Sequence, residues 1–378
     1  MYEISTGAFV SVLFDGTEYP LERNGFMQLA IVSNKRMSVP CCEFVFHDFS
    51  NDVGKNITIA DNMTMTVREG LSSSKYNTWN FRVFSIRRES ARSQIYRVVG
   101  YLDVPKWFME VWKEPIKSVS SKVISTLASH SGLSPVVDST NDQMIWLPSN
   151  KRICQFARET AQHGYASESS CMSLGVTMDK RCLYKDLTLL PTKPEEIFAF
   201  GDMPNTKRIF DVSYLTSSGY GNAIGGYKFS AVTQNLNKDG KAEDKISVKR
   251  RAQYMMMNKE VKESLQAGRI DIADINIGNT NDKYERGYYQ NTRIASTYSV
   301  GVELLTDMMT PTSFDLFSPI LYDAKEAASA GGEPTTLESF RGVYWVTAKC
   351  IFFSQGMRCE KIQAYSNGVN KSTAKSQL

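Results

Sequence analysis

The residues best suited to catalysis lie in one short segment, IWLPSNKRICQFARETAQHGY (145–165), which contains Cys154 and His163. A thiol within hydrogen-bond reach of an imidazole is the nucleophile–base pair of cysteine hydrolases. If the segment is a helix, Cys154 and His163 fall on roughly opposite sides, because an α-helix completes a turn every ~3.6 residues. They therefore cannot pair with each other. Either the segment is a structural helix, which we favour, or Cys154 meets a distant histidine, for which only His47 and His130 are available.

The other cysteines and the three histidines form no recognisable metal motif. The chain has no Cys-x-x-Cys, no histidine pair at helical spacing and no Asp-rich calcium loop. Cys41 and Cys42 are adjacent, so a strand would point them to opposite faces. Cys171 and Cys182 could approach each other across a hairpin, where a reduced pair is favoured over a zinc site. We predict no catalytic residue, no metal and no cofactor.

Two helices are predicted to position these residues. The first covers Lys117–Ser131, with Pro115 before it and Gly132 after it. The second has Ser149 as N-cap, because its hydroxyl can accept from a backbone N–H of the first turn. Gly164 is expected to end that helix in the left-handed conformation. The stripe predicted to be buried consists of Ile153, Phe156, Ala157, Thr160 and Ala161.

Two further segments have ligand-binding features but plainer interpretations. GYGNAIGG (219–226) has the glycine content of a phosphate loop, yet residues 227–232 after it alternate like a strand. A dinucleotide-binding loop opens into a helix instead, so we interpret 219–226 as a flexible loop between strands. A helix predicted over 247–265 carries basic residues and three methionines at 255–257. Such a helix can lie on a membrane or in a partner's groove, but we favour a solvated helix packed on its own domain.

Most of the remaining chain is predicted to form strands. Within residues 1–104, apolar residues alternate in several short runs such as 63–68, and the Asp15–Gly16 dipeptide suits a tight hairpin turn. Residues 343–365 predict another hairpin, whose shared face consists of Tyr344, Val346, Ala348, Cys350 and Phe352. The predicted fold class is α+β and β-dominated, with a helical block between two strand-rich blocks.

Composition limits the function classes. The 378 residues are 42% hydrophobic and 22% charged, which suits a globular protein of roughly two to four domains. A net charge of +4 is small for this length and disfavours a protein that binds nucleic acid by neutralising phosphates. No stretch approaches the ~20 apolar residues of a membrane span, and no secretory signal is visible. The seven cysteines lack framework spacing and are expected to be reduced.

The order of elements over residues 116–190 carries a family resemblance. A helix (PIKSVSSKVISTLASHSGL) is followed by a linker (SPVVDSTNDQMIW), a second helix ending at HGY and a strand-like segment (DKRCLYKDLTLL). This layout resembles the middle domain of phage baseplate hub proteins: the T-even-type central hub, the late-control protein D group and the N-terminal part of the VgrG spike proteins. Residues 286–323 and 342–368 are similar to later hub segments, whereas 219–226 and 236–268 have no counterpart. The matching positions of the middle domain are Trp146, Phe156, Ala157, Ala161, Gly164 and Tyr165.

The resemblance implies two tail-tube-like β-barrel domains with a helix-containing α/β domain between them. The implied division of the chain is a first barrel, 1–104; a middle domain, 105–200; a second barrel, 201–235 with 288–368; an insertion with helix and strands, 236–287; and a polar C-terminal tail, 369–378.

The resemblance further implies a non-enzymatic component of the phage virion. Three hub chains form a homotrimeric ring whose six barrels adapt the sixfold tail tube to the threefold central spike. DNA passes through the lumen without specific binding. The implied partners are the tail tube protein, the central spike protein and baseplate wedge or tape-measure components. No membrane span is expected. Synthesis and assembly are expected in the bacterial host cytoplasm.

Bulky apolar and aromatic residues are the best candidates for subunit or partner contacts, with ordinary core as the alternative for each. Such side chains bring a large contact area at low entropic cost, which interfaces favour. The candidate interface residues are Tyr288, Tyr289, Phe352, Phe353 and Met357.

Two other functions remain open from the sequence. A tail-associated cell-wall hydrolase would need an acid pair or a Cys/His pair gathered in a cleft. A tail tube or adaptor protein would lack contact with the spike. An activity assay on peptidoglycan separates the hydrolase from the hub. Oligomeric state separates the tube or adaptor protein from the hub, because two barrels per chain predict trimers and one barrel per chain predicts hexamers.

Overall fold

The structure is a computed structural model, and three predictions fall wholly or largely outside the residues it describes. These are the glycine loop 219–226, most of the helix expected over 247–265, and the tail 369–378. Ser247 and Val248, where that helix was expected to begin, instead end a strand. The described residues are 2–3, 9–21, 25–90, 93–167, 170–189, 194–200, 207–216, 229–234, 243–248, 269–272, 282–295, 300–306, 315–323, 340–354 and 357–366.

The first block forms eight strands, as the alternating apolar residues predicted. Met65 and Val67 are fully buried on one face, and Asp15 and Gly16 both have positive φ (45° and 83°) in the predicted turn. The strands are β1 (Tyr2–Glu3), β2 (Phe9–Phe14), β3 (Thr17–Glu18), β4 (Gly25–Asn34), β5 (Cys41–His47), β6 (Thr64–Ser72), β7 (Lys75–Arg88) and β8 (Ile95–Leu102).

These strands make one curled sheet. Their order is β1-β2-β6-β7-β8-β5-β4, with β3 beside β2. Val12 of β2 and Ile31 of β4 belong to the same buried cluster although their strands lie near opposite ends of this order. Phe44 and Phe46 of β5 stack in that cluster with ring centroids 4.8 Å apart. The sheet therefore bends around a single core.

The middle block packs three helices on two small sheets. Its own core contains Trp107, Leu127, Phe156 and Tyr184, all nearly or fully buried. The elements are α1 (Pro105–Met109), β9 (Ile116–Ser118), α2 (Ser120–His130), β10 (Ser134–Val137), β11 (Met144–Trp146), α3 (Ile153–His163), β12 (Met172–Val176) and β13 (Arg181–Asp186).

The caps of α2 differ from those predicted, because distant side chains supply them. The helix starts at Ser120 and not at Lys117, since Asp142 Oδ1 accepts from the Ser120 N–H (2.8 Å) and Thr140 Oγ1 accepts from the Ser121 N–H (3.0 Å). Residues 116–118 instead form β9, which pairs with β11.

The caps of α3 also differ. Arg152 precedes this helix, and Gln155 Oε1 accepts its backbone N–H, whereas Ser149 lies in the preceding turn with φ 48°. Gly164 ends α3 in an extended conformation (φ −69°, ψ 140°) and not a left-handed one. A Cβ at this position would collide with the Tyr184 hydroxyl, so here glycine provides space for a close contact.

The third block contains the strands of two more sheets and one helix. A separate three-stranded sheet has the order β17-β16-β18. The elements are β14 (Glu196–Phe200), β15 (Lys207–Thr216), β16 (Phe229–Gln234), β17 (Glu243–Val248), β18 (Arg269–Ile272), α4 (Asp282–Ala295), β19 (Val300–Thr306), β20 (Pro319–Asp323), β21 (Gly342–Ser354) and β22 (Met357–Ser366).

Six of these strands close into a barrel. The order β21-β20-β14-β15-β19-β22 returns to its start because β22 also pairs with β21. Phe198, Val302, Ile320 and Ile362 fill the interior and are fully buried. The barrel and the curled first sheet are continuous, because β4 pairs with β21. The predicted β-dominated α+β class is confirmed.

A bulge in β21 overturns the predicted face of the last hairpin. The register shifts between Val346 and Ala348, so Thr347 is the extra residue. Tyr344 and Val346 face the barrel core, but beyond the bulge Ile351 and Phe353 are the buried residues. The prediction that Cys350 and Phe352 share the face of Tyr344 is therefore wrong, since one inserted residue reverses the alternation.

Among the residues that the structure describes, no helix has both the length and the apolar character required to cross a membrane.

Candidate functional site

Cys154 and His163 face different neighbours. Cys154 is 6% exposed and lies near Ser38 in the loop after β4, and burial raises the pKa of its thiol. His163 stacks on Tyr284 of α4 with ring centroids 3.7 Å apart, and its Nδ1 lies 3.2 Å from the Tyr284 carbonyl oxygen. Burial lowers the pKa of His163, which favours the neutral ring. The geometry brings α3 against two other elements and does not assemble a nucleophile–base pair from these two residues.

The other two imidazoles are also placed by structural contacts. His130 Nε2 lies 2.8 Å from Glu110 Oε1, and the His47 ring stacks on Phe49 at 3.7 Å. The distant histidines that were candidates to meet Cys154 thus lie against Glu110 and Phe49.

Cys171 and Cys182 lie at opposite ends of the β12–β13 ladder, so the approach across a hairpin that the sequence allowed does not occur. Cys182 pairs with Val176, whereas Cys171 precedes Met172, which pairs with Asp186 at the other end of the ladder. Burial raises the pKa of each thiol to about 12. Within the described ranges, no group of three or more His, Cys, Asp or Glu residues is arranged to hold a metal ion.

The predicted interface residues lie in two places. Tyr288 is 38% exposed on α4, where its ring stacks on His163 (4.9 Å), and Tyr289 follows it on the same helix. At the end of the last hairpin, Met357 is 58% exposed, Phe352 is partly exposed and Phe353 is fully buried in the core of the first sheet. Their role in contacts between chains stays a prediction.

The main structural feature that the sequence did not predict is the shared hairpin β21–β22. Residues 342–345 of β21 pair with β20 in the barrel, and residues 348–354 pair with β4 of the first sheet. One strand thus belongs to both sheets. The pattern of alternating residues predicted the hairpin but contained no information about the second partner of β21.

A buried charge cluster ties the hairpin to the far side of the first sheet. Arg358 of β22 lies 3.1 Å from Glu69 Oε2 of β6 and 2.8 Å from Glu360 Oε1, and all three side chains are at most 2% exposed. The second oxygen of Glu69 accepts from Asn77 (2.9 Å) and Trp79 (3.2 Å). Burial opposes the charge of Arg358, but Glu69 and Glu360 together raise its pKa. The hairpin therefore pairs with β4 through β21 and contacts β6 through the side chain of Arg358.

The second device that sequence reasoning missed is the docking of α4 on α3. Asn291 Nδ2 donates to the carbonyl oxygens of Ala161 (3.2 Å), Gln162 (3.0 Å) and Gly164 (2.8 Å) at the end of α3. Its Oδ1 accepts from the Met172 N–H (2.7 Å). In the sequence, the signal for this docking of α4 on α3 was a glycine inside a helical pattern.

That glycine is Gly287 in the middle of α4. A Cβ there would collide with the carbonyl oxygen of His163. The missing side chain permits the close approach of the two helices. Helix α4 crosses the boundary expected at 287/288 and packs on the middle block. The predicted division of the chain into domains stays a prediction.

Comparison with known proteins rests on structure alone, since no family model and no curated protein matches the sequence. The 43 kDa tail protein of prophage MuSo2 from Shewanella oneidensis is similar with a TM-score of 0.57 and 9% identity, over 95% of this chain and 96% of that one. The tail protein from Neisseria meningitidis MC58 has a TM-score of 0.57 and 10% identity, over 96% and 98%.

A third similar structure is a prophage tail protein from Listeria monocytogenes EGD-e, with a TM-score of 0.52 and 8% identity over 98% of each chain. At such low identity the likeness concerns the fold. The chain has the fold of these tail proteins along nearly its whole length.

Proposed function

We propose that this chain is the structural hub of a phage tail or baseplate. Three copies form a ring that adapts the sixfold tail tube to the threefold central spike, and DNA passes through its lumen. The observation that carries the proposal is the shared strand β21, which belongs to a closed barrel and to a curled sheet at once. The fold shared with three tail proteins supports the same assignment.

The shared strand supports the symmetry argument. A ring of six units built from three chains needs two units per chain held at a fixed mutual angle. A flexible linker would allow that angle to vary, whereas a continuous hydrogen-bonded strand does not. The buried Arg358–Glu69 contact adds a second connection between the same two units. Cyclic closure then follows from sheet edges that meet across subunit boundaries.

The role is proposed to be non-enzymatic. Cys154 lies beside Ser38 and His163 lies against Tyr284, so the residues most suited to hydrolysis serve packing contacts. The proposed partners are two further copies of the chain, the tail tube protein, the central spike and baseplate wedge or tape-measure components. The proposed location is the virion, after assembly in the host cytoplasm. We expect few clustered Lys or Arg side chains on the lumen surface, because DNA must pass without being held.

Native mass spectrometry of the purified chain tests the proposal. The expected result is a trimer, and negative-stain images of that trimer should show a ring with six lobes around an open centre. A hexamer would favour a tube or adaptor protein. A chain that stays monomeric at high concentration would count against the hub.

A peptidoglycan-degradation assay tests the hydrolase alternative separately. Wild type, Cys154→Ala and His163→Ala should all lack activity. Activity in wild type that either substitution abolishes would overturn the non-enzymatic assignment.

A further inference from the structure

A cleft of about 380 Å³ lies where three parts of the chain meet. One wall is the loop between β4 and β5, which includes Lys35 and Arg36. The second wall is α3, with Cys154 and Arg158, and the third is strand β12. Its volume is within the range of ligand sites, roughly 300–1,000 Å³, and such sites commonly lie where domains meet. This cleft is separate from the shared hairpin on which the proposed function rests.

The cleft is positively charged. Lys35, Arg36 and Arg158 line it, and among the described residues its lining includes no Asp or Glu. Arg158 donates to the Arg36 carbonyl oxygen (2.8 Å) and to Ser38 Oγ (3.3 Å), so its guanidinium is held in place by neutral groups. Lys35 is half-buried, and burial lowers the pKa of its ammonium group. An anionic group entering the cleft would gain charge-assisted hydrogen bonds without displacing a carboxylate.

The third wall is the edge of a sheet. The small sheet of the middle block has the order β10-β13-β12, so among the described strands β12 pairs with β13 on one side only. At its beginning, the Met172 N–H is taken by Asn291 Oδ1. Residues 173–176 continue the strand along the cleft. An outer strand of this kind is a template on which an extended segment can add main-chain hydrogen bonds.

We propose that this cleft binds an acidic, extended peptide segment of a partner protein. The segment would pair with residues 173–176 of β12, and its carboxylates would meet Lys35 and Arg36. Met37 and Leu174 also line the cleft, are half-buried and provide apolar surface for the side chains between the carboxylates. A peptide with alternating acidic and apolar residues matches both features, because successive side chains of a strand point to opposite sides.

Two other ligand classes fit the same observations less well. A free phosphate would use the cations but not the strand edge or the apolar wall. A nucleic acid needs a basic stripe that follows many phosphates, whereas this cleft offers three cations at one place.

Fluorescence anisotropy with a short labelled peptide of alternating Glu and Val tests the proposal on the full-length protein. We expect binding that weakens with salt, and the double substitution Lys35→Gln/Arg36→Gln should weaken it roughly tenfold or more, because two charge-assisted contacts are lost. Lys122→Gln, on the exposed side of α2, is the matched control and should bind like wild type. Circular dichroism verifies that all variants are folded.

Two further arms identify the ligand class. A peptide with the same charges but proline at alternate positions cannot pair with β12, and it should bind much more weakly. Inorganic phosphate at the same concentration should not displace the Glu/Val peptide, because phosphate cannot pair with β12. Equal binding by the double variant, equal binding of the proline peptide, or full displacement by inorganic phosphate would each overturn the proposal, as would absence of binding by wild type at millimolar peptide.

Discussion

The guanidinium of Arg358 lies 3.1 Å from the carboxylate of Glu69, and 289 positions of sequence separate the two residues. Both side chains are almost completely buried. The contact joins the last hairpin to the first sheet and adds to the hydrogen-bonded ladder between β21 and β4. Removing Arg358 would leave the buried carboxylate of Glu69 without its cation, whereas Glu360 would keep Lys349 at 3.6 Å.

Arg358→Met is therefore expected to lower the free energy of unfolding by about 3–5 kcal/mol, because Glu69 and Glu360 lose their shared cation. Adding Glu69→Gln to the same protein should return part of that loss. Urea titration followed by fluorescence measures both. Arg181→Met, in an exposed pair with Asp179, is the matched control and should cost about 0–1 kcal/mol. A similar cost at both arginines would contradict the role assigned to Arg358.

Gly287→Ala is expected to destabilise the protein by about 1–3 kcal/mol, because the new methyl group collides with the His163 carbonyl oxygen. The direction of the change in stability is informative, because Gly→Ala inside an exposed helix would stabilise the protein by about 1 kcal/mol. Gly342→Ala is the control, because a Cβ there meets nothing within 4 Å. Thermal unfolding measures the difference, and a raised melting temperature for Gly287→Ala would show that α4 does not dock on α3 as described.

Asn291→Asp should be more harmful than Asn291→Ala. The carboxylate would face three carbonyl oxygens that the native amide satisfies, so we expect a loss of about 3 kcal/mol or more, against about 2 kcal/mol for alanine. Thr292→Ala, at the exposed neighbouring position, should change stability by less than about 0.5 kcal/mol. Chemical denaturation at neutral pH ranks the three variants. A larger loss of stability for Asn291→Ala than for Asn291→Asp would argue against the hydrogen-bond assignment.

Stability should fall on mild acidification because of His163. Its pKa is lowered by burial, so the unfolded chain, with a pKa near 6.5, binds more protons than the folded chain below about pH 7. The free energy of unfolding therefore decreases as pH falls through 6.5 towards the lower pKa of the folded state. His163→Phe keeps a ring against Tyr284 and removes this contribution, whereas His130→Gln should retain it. The prediction is refuted if the free energy of unfolding varies with pH in the same way in wild type and in His163→Phe.

Phe353 and Met357 should separate folding from assembly. Phe353→Ala opens a cavity in the core of the first sheet and should cost about 3–5 kcal/mol of folding stability. Met357→Lys changes a residue that is 58% exposed, so the melting temperature of the isolated chain should hardly change. If Met357 lies in a subunit interface, native mass spectrometry will show fewer trimers for Met357→Lys than for wild type at equal concentration. An unchanged distribution would remove Met357 from the interface.

The sequence by itself determined the local elements. Met65 and Val67 share a buried face because strand side chains alternate, and the helix around Cys154 follows from apolar residues at helical spacing. The same spacing established that Cys154 and His163 do not pair. These features depend on residues a few positions apart, so a linear pattern contains them.

Only the tertiary structure decided how the elements meet. Asp142 caps α2, Gly287 admits His163, and Arg358 reaches Glu69, yet none of these partners is near its counterpart in the chain. The bulge at Thr347 has the same origin, because β21 must serve two sheets with different partners and one inserted residue reverses its faces. Contacts between distant segments depend on packing in three dimensions, and periodicity along one segment does not specify them.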